Sequence, residues 1–159
     1  MAALKLILTD TLEYDFSLFA IHCSLEDYRI AYFINKHLGM RLKRRQKDVD
    51  FKKETYEALF SLFIFEDSRN YRTFTLVANK CKVKCQEDDA KDGFFKEQAT
   101  FKYASLVPEL KKADYFLKLE SETWTPKTLL SQIKQIPQVV TAYEVSVNEL
   151  KSKRNLIFE

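Results

Sequence analysis

Along most of this chain apolar and polar side chains alternate in short runs, the two-residue period of a strand with one buried face. Residues 4–8 (Leu-Lys-Leu-Ile-Leu) open with such a run, and residues 16–23 follow with a more continuously apolar one that predicts an interior strand. Then the period changes. Leu25, Tyr28, Ala31, Tyr32 and Leu38 recur at helical spacing, Ile30, Phe33 and Ile34 widen the stripe, and Glu26, Arg29 and Lys36 are left for solvent. Ser24 stands where an N-cap belongs, Asp27 approximates a capping box, and Gly39 supplies a left-handed stop, so a helix is predicted over 25–38.

Residues 40–47 predict a short edge strand with Arg41, Lys43 and Arg45 outward, and 48–53 read as a polar connection. Residues 58–65 and 71–77 are strong strand patterns, and Asp67, Ser68, Arg69 and Asn70 between them predict a hairpin. Residues 85–97, rich in Glu and Asp, read as an exposed loop, and 100–106 as another strand. A second helix begins with Thr125 as N-cap and Pro126 at its first position, turns Leu129, Leu130, Ile133 and Ile136 inward, and is closed by Pro137. Residues 139–145 form the last long strand, and the tail 154–158 either pairs as a short strand or docks by its apolar side chains. Two strand–helix–strand units, one near each end, flank antiparallel candidates. They predict a single α+β domain of ferredoxin-like character, with about six to eight strands in one mostly antiparallel twisted sheet and both helices on one face. Strand order does not follow from periodicity.

Composition narrows the function classes. A chain of 159 residues suits one domain whose core needs neither disulfide nor metal. Its 13 Phe and 8 Tyr, set in alternating runs, predict an aromatic core rather than a base-stacking surface. A net charge of +3 argues against a generally polyanion-coating protein while allowing a local basic patch. Three cysteines, an odd number, and a first segment without a basic leader or a signal-length apolar run predict reduced thiols in the cytoplasm. No window reaches the length of a membrane span. With only two glycines, Gly39 and Gly93, the usual phosphate-cradling loops are excluded, and no cofactor is expected.

The residues that could do chemistry are better read as structural. His22, Cys23, Cys81 and Cys85 lack the tight ligand spacing of structural zinc, and Lys82 and Lys84 would crowd a cation between thiolates, so no metal is assigned. His22 and Cys23 are adjacent in a strand and point to opposite faces, which denies them a nucleophile–base pairing. Cys23 does precede a helix, where a thiolate is stabilised. His37 near a helix C-terminus suits the dipole. No catalytic residue is assigned and the chain is read as a non-enzyme.

The one dense basic cluster is Arg41, Lys43, Arg44, Arg45 and Lys47, with Lys36, Lys52 and Lys53 nearby in sequence. Such a density can contact successive phosphates, yet the same charges also protect an edge strand from aggregation. Neither a GXXG loop nor an RNP1 sequence accompanies it.

Residues 107–115 read V-P-E-L-K-K-A-D-Y. Pro108 biases Val107 towards an extended conformation, and Tyr115, Leu117 and Leu119 then alternate with Phe116, Lys118 and Glu120 as a strand with one apolar and one mixed face. The stretch resembles the signature of the bacterial IPExxxVDY family, a group named for its motif and without an established activity. Val107 replaces the initial Ile and Ala113 the Val, whereas Pro108, Glu109, Asp114 and Tyr115 match outright. The similarity extends to D-F-S-L-F-A-I at 15–21, E-D-Y-R-I-A-Y-F-I-N-K at 26–36 and K-S-K-R-N-L-I-F at 151–158. Glu109 is expected to start a helical turn after Pro108, and Asp114 to cap it or accept backbone hydrogen bonds. The expected function is therefore a non-enzymatic accessory domain that binds an unidentified protein, with a homodimer as another use of its sheet edges. The alternative is an RNA- or DNA-binding accessory protein using residues 41–47.

Overall fold

The computed structural model describes residues 14–54, 56–84, 101–121 and 125–158. The strand expected at 4–8 and the loop expected at 85–97 therefore lie outside the described residues. In chain order the elements are β1 (Ser17–His22), α1 (Asp27–Leu38), β2 (Lys43–Arg44), β3 (Val49–Lys52), β4 (Glu57–Phe60), β5 (Leu62–Asp67) and β6 (Arg72–Ala78). They continue as β7 (Lys80–Lys84), β8 (Phe101–Ser105), β9 (Tyr115–Ser121), α2 (Pro126–Lys134) and β10 (Thr141–Val145).

Six strands form the main sheet in the order β10-β1-β9-β6-β5-β2, with every neighbouring pair antiparallel. The crossover through α2 joins β9 to β10 with β1 between them, and the crossover through α1 carries the chain from β1 past β9 to β2 at the far edge, from which β5 and then β6 return to β9's side. This is the ferredoxin-like α+β arrangement, widened at one end by β5 and β2. Two smaller antiparallel pairs, β3–β4 and β7–β8, stand apart from it.

The sheet is covered on both faces. On one, Phe19, Ile21, Phe74, Leu76, Leu117 and Leu119 pack against Ile30, Ala31 and Ile34 of α1 and Leu129 and Ile133 of α2. On the other, Leu18, Ala20, Val77 and Phe116 meet Phe60, Val83 and Ala104 from the small sheets, together with Val107, Ala113, Leu150 and Leu156. Phe19, Phe60, Phe74 and Phe116 are fully buried, the aromatic core that the composition predicts. The central strand β9 is buried on both faces from Tyr115 to Leu119, so its expected mixed face is open only from Glu120 onward.

Several expectations change. Helix α1 starts at Asp27 and its cap is Glu26, not Ser24, since the Leu25 C=O accepts the Tyr115 hydroxyl (2.6 Å) and is held outside the helix. Its buried stripe is Ile30, Ala31 and Ile34, while Tyr28 and Tyr32 face solvent. Gly39 does adopt the left-handed conformation, with φ 66°. Residues 48–53 are no mere connection: β3 lies among them and pairs with β4. The run at 58–65 breaks at Ser61, where the chain leaves β3 for the main sheet. A continuous apolar run carries no mark of which sheet it joins. The β5–β6 hairpin closes as expected through 68–71, with Tyr71 at φ 51°. The tail docks rather than pairs, forming a 3-10 turn at Lys153–Leu156 with Leu156 fully buried.

Candidate functional site

The motif stretch is a junction. Asn79, between β6 and β7, is completely buried, and its amide is fully used. Nδ2 donates to the Leu110 C=O (2.9 Å) and the Ala113 C=O (2.8 Å), and Oδ1 accepts from the Val107 N–H (2.9 Å). The Asn79 main chain adds its N–H to the Asp114 C=O and takes the Leu106 N–H, each at 2.9 Å. Within that turn Val107 is extended and Pro108–Leu110 is a 3-10 turn. The Asp114 carboxylate accepts the Cys23 N–H (3.0 Å) and pairs with Lys80 Nζ (2.8 Å), linking β9 to the end of β1. Glu109 reaches the tail, accepting the Ser152 N–H at 2.8 Å and the Ser152 hydroxyl at 2.5 Å. Burial pushes the Tyr115 hydroxyl well above its ordinary range, which keeps it a donor to Leu25.

The Ser152 hydrogen bonds hold the Glu109 carboxyl below its usual pKa. A depressed folded pKa contributes stability above the unfolded value of about 4.3, and that stability is lost as pH falls through the folded one. Glu109→Gln is expected to cost up to ~1 kcal/mol at neutral pH, kept small by solvent exposure, with the gap to the parent closing below pH ~4.3. Urea midpoints across that range test it, and a gap independent of pH would remove the carboxylate from the explanation.

His22 and Cys23 do lie on opposite faces. His22 Nε2 is 3.2 Å from the Tyr143 hydroxyl, while Cys23 packs on the helix side. Burial raises the Cys23 thiol pKa, opposed by a backbone hydrogen bond from Leu25 and assisted by the Asp114 charge, so the helix-proximal activation anticipated for it is outweighed. Cys81 packs on the other side of the sheet, and Cys85 lies outside the described residues. No three His, Cys, Asp or Glu among the described residues gather as metal ligands.

The basic segment leaves α1 under control of Asn35, whose amide brackets Leu42 by accepting its N–H (2.8 Å) and donating to its C=O (3.2 Å). Alternation then divides the cations. Arg44 turns to the helix side, bonded to Asp27 (2.9 Å) and to Asp48, with its guanidinium 5.5 Å from the Phe63 ring centroid. Lys43 and Arg45 turn to the other side, where, with Arg44 between them also at the rim, they line an open depression of about 500 Å³ floored by Ile64, Thr73, Thr75 and Lys118. Arg45 also lines the adjoining depression of about 970 Å³ with Lys47, Asp48, Asp50, Arg154 and Phe158. Arg41 is exposed and is not part of either lining.

The acids of this groove are mostly engaged: Asp48 by Arg44, Asp50 by Lys52 (3.5 Å) and Glu120 by Lys118 (2.8 Å). Lys118 is only 6% exposed and sits between rings, 4.5 Å from the Phe16 centroid and 5.5 Å from that of Phe158. Among the described residues, Lys43, Arg45, Lys47 and Arg154 form no ion pair, against one unpaired lining carboxylate, Glu66. Arg154 and Lys118 were not singled out from the sequence, since neither carries a local signal and the fold alone brings them to β2. Comparison with protein-family models, curated proteins and solved structures finds no match.

Proposed function

We propose that this chain is a non-enzymatic accessory domain that binds RNA or DNA in the groove beside β2. The observation that carries the reading is the charge balance there: among the described residues Lys43, Arg45, Lys47 and Arg154 form no ion pair, and they line two adjoining open depressions, joined at Arg45, whose acids are largely neutralised. Cations so placed can displace the counterions of successive phosphates. Supporting the non-enzymatic part, Cys23 is a buried thiol whose pKa burial raises, His22 bonds Tyr143, and Glu109 and Asp114 are occupied in holding turns. We read the chain as cytoplasmic from its odd cysteine count, Cys23 and Cys81 being free thiols, and as an IPExxxVDY family member from the four outright motif matches. No helix among the described residues is long and apolar enough to cross a membrane.

The test is the combined Lys43→Ser, Arg45→Ser, Lys47→Ser and Arg154→Ser variant, with Arg44 left in place because it ties β2 to α1. Four phosphate contacts contribute about −3 to the slope of log affinity against log salt for a single strand (about −0.7 per contact), and the variant is expected to lose that share of the slope. An unchanged slope and affinity would overturn the reading.

A second reading, a protein partner added at the sheet edge, is favoured by an asymmetry between the two edges. At one edge β2 has only two residues and both are cationic, a guarded edge. At the other, β10 offers five residues with Glu144 as their only charge, and Val140 just before it is 80% exposed. Val140→Lys should then reduce capture of a partner protein, or self-association, while leaving oligonucleotide affinity unchanged.

A further inference from the structure

We propose that the outward face of the β7–β8 ribbon is a stacking platform for single-stranded nucleic acid. The proposal rests on the nucleic-acid reading above for its class of ligand but uses a different surface. Lys82 pairs with Tyr103 and Lys84 with Phe101 in the ribbon register, so these four side chains share one face. The inner face is satisfied by Val83 and Ala104, both buried. The rings outside are not needed for the core: Phe101 is 54% and Tyr103 72% exposed. Lys82 Nζ lies 4.6 Å from the Phe101 ring centroid. Neither strand contains an Asp or Glu, so nothing within the ribbon neutralises Lys82 or Lys84, whereas Lys80 is held by Asp114.

Spacing decides which nucleic acid fits. Side chains two residues apart on one strand stand ~6.8 Å from each other, about twice the ~3.4 Å separation of neighbouring bases along a duplex strand. Two adjacent bases can each rest on a ring only when they are unstacked from one another, which a single strand allows and a duplex resists. Lys82 and Lys84, directly across from the rings, are placed for the intervening phosphates. Because every base has a π-face, the platform is tolerant of sequence.

The experiment measures fluorescence anisotropy of a labelled oligothymidylate of about 15 nucleotides, and of a duplex of equal length, against the full chain. Phe101→Ala with Tyr103→Ala is expected to weaken single-strand binding about 100-fold, roughly tenfold per ring, while thermal stability and weaker duplex binding stay unchanged. Phe101→Tyr with Tyr103→Phe should retain parental affinity. Parental single-strand affinity in the Ala pair, or a preference for duplex, overturns the platform. Loss only in the groove variant of the preceding subsection overturns the platform while sustaining the groove, and no binding by the parent at about 50 mM salt ends both.

Discussion

Asn79→Ala lowers the stability of this protein by about 3–5 kcal/mol, which a chain of this length registers as a fall in Tm of about 6–20 °C. The size follows from what the amide does. It is fully buried and makes three side-chain hydrogen bonds, each worth ~1 kcal/mol net when made and ~1–3 kcal/mol in stranded partners when lost. Truncation strands the Val107 N–H and the Ala113 C=O together, while the Leu110 C=O keeps the Ala113 N–H at 3.0 Å. Asn79→Asp separates geometry from chemistry. The variant's carboxyl keeps the acceptor for Val107, retains one O–H donor while protonated and none once ionised, and faces two carbonyls that raise its pKa. Its penalty relative to the parent is therefore smallest below about pH 3.9 and grows as the pH rises through the raised folded value. Denaturant titrations of both variants check this, and a cost under ~1 kcal/mol for Asn79→Ala would mean that the turn 106–114 does not depend on the amide.

The second large effect lies in the tail. Leu156→Ala should cost about 3 kcal/mol, or ~6–12 °C in Tm, because a completely buried leucine leaves both lost transfer energy and a cavity. Leu156 packs with Val107, Ala113 and Leu150 on the sheet face opposite the helices, and Asn155 beside it donates to the Leu106 C=O at 2.8 Å. The same turn carries Arg154, and the next residues, Ile157 and Phe158, line the larger depression. Loosening it is thus expected to weaken oligonucleotide binding as well as stability. Ile157→Ala is the control: at 43% exposed it should cost only about 0.5–1 kcal/mol. Equal losses from the two variants would show that the tail is not anchored through Leu156.

How much could be read without coordinates depended on how local the cause was. The helix stops at Gly39 because a left-handed residue is needed there, and the β5–β6 hairpin turns among Asp67, Ser68, Arg69 and Asn70 because those side chains suit turns. Both causes sit within a few residues. Tyr28 and Tyr32 fit the helical period equally well, yet face solvent, since a period permits several rotations of a helix and only the neighbouring sheet chooses one. The break at Ser61 was hidden for a similar reason: two strands of different sheets, joined end to end, read as one apolar run.

By itself, then, the amino-acid order determined an α+β chain with two amphipathic helices, a phenylalanine core, and a basic segment that alternates its charges from face to face. Tertiary structure alone decided which of those charges are paired among the described residues. Asp27 and Asp48 engage Arg44, whereas Lys43 and Arg45 open onto a groove that Arg154 joins from the far end of the chain. It also decided that Asn79, unremarkable between two strands, holds the motif turn, and that Phe101 and Tyr103 stand outside the core. The physical reason is the same in each case. Propensity and periodicity act over a few residues, while ion pairing, burial and hydrogen-bond satisfaction are settled by segments that meet only once the sheet is assembled.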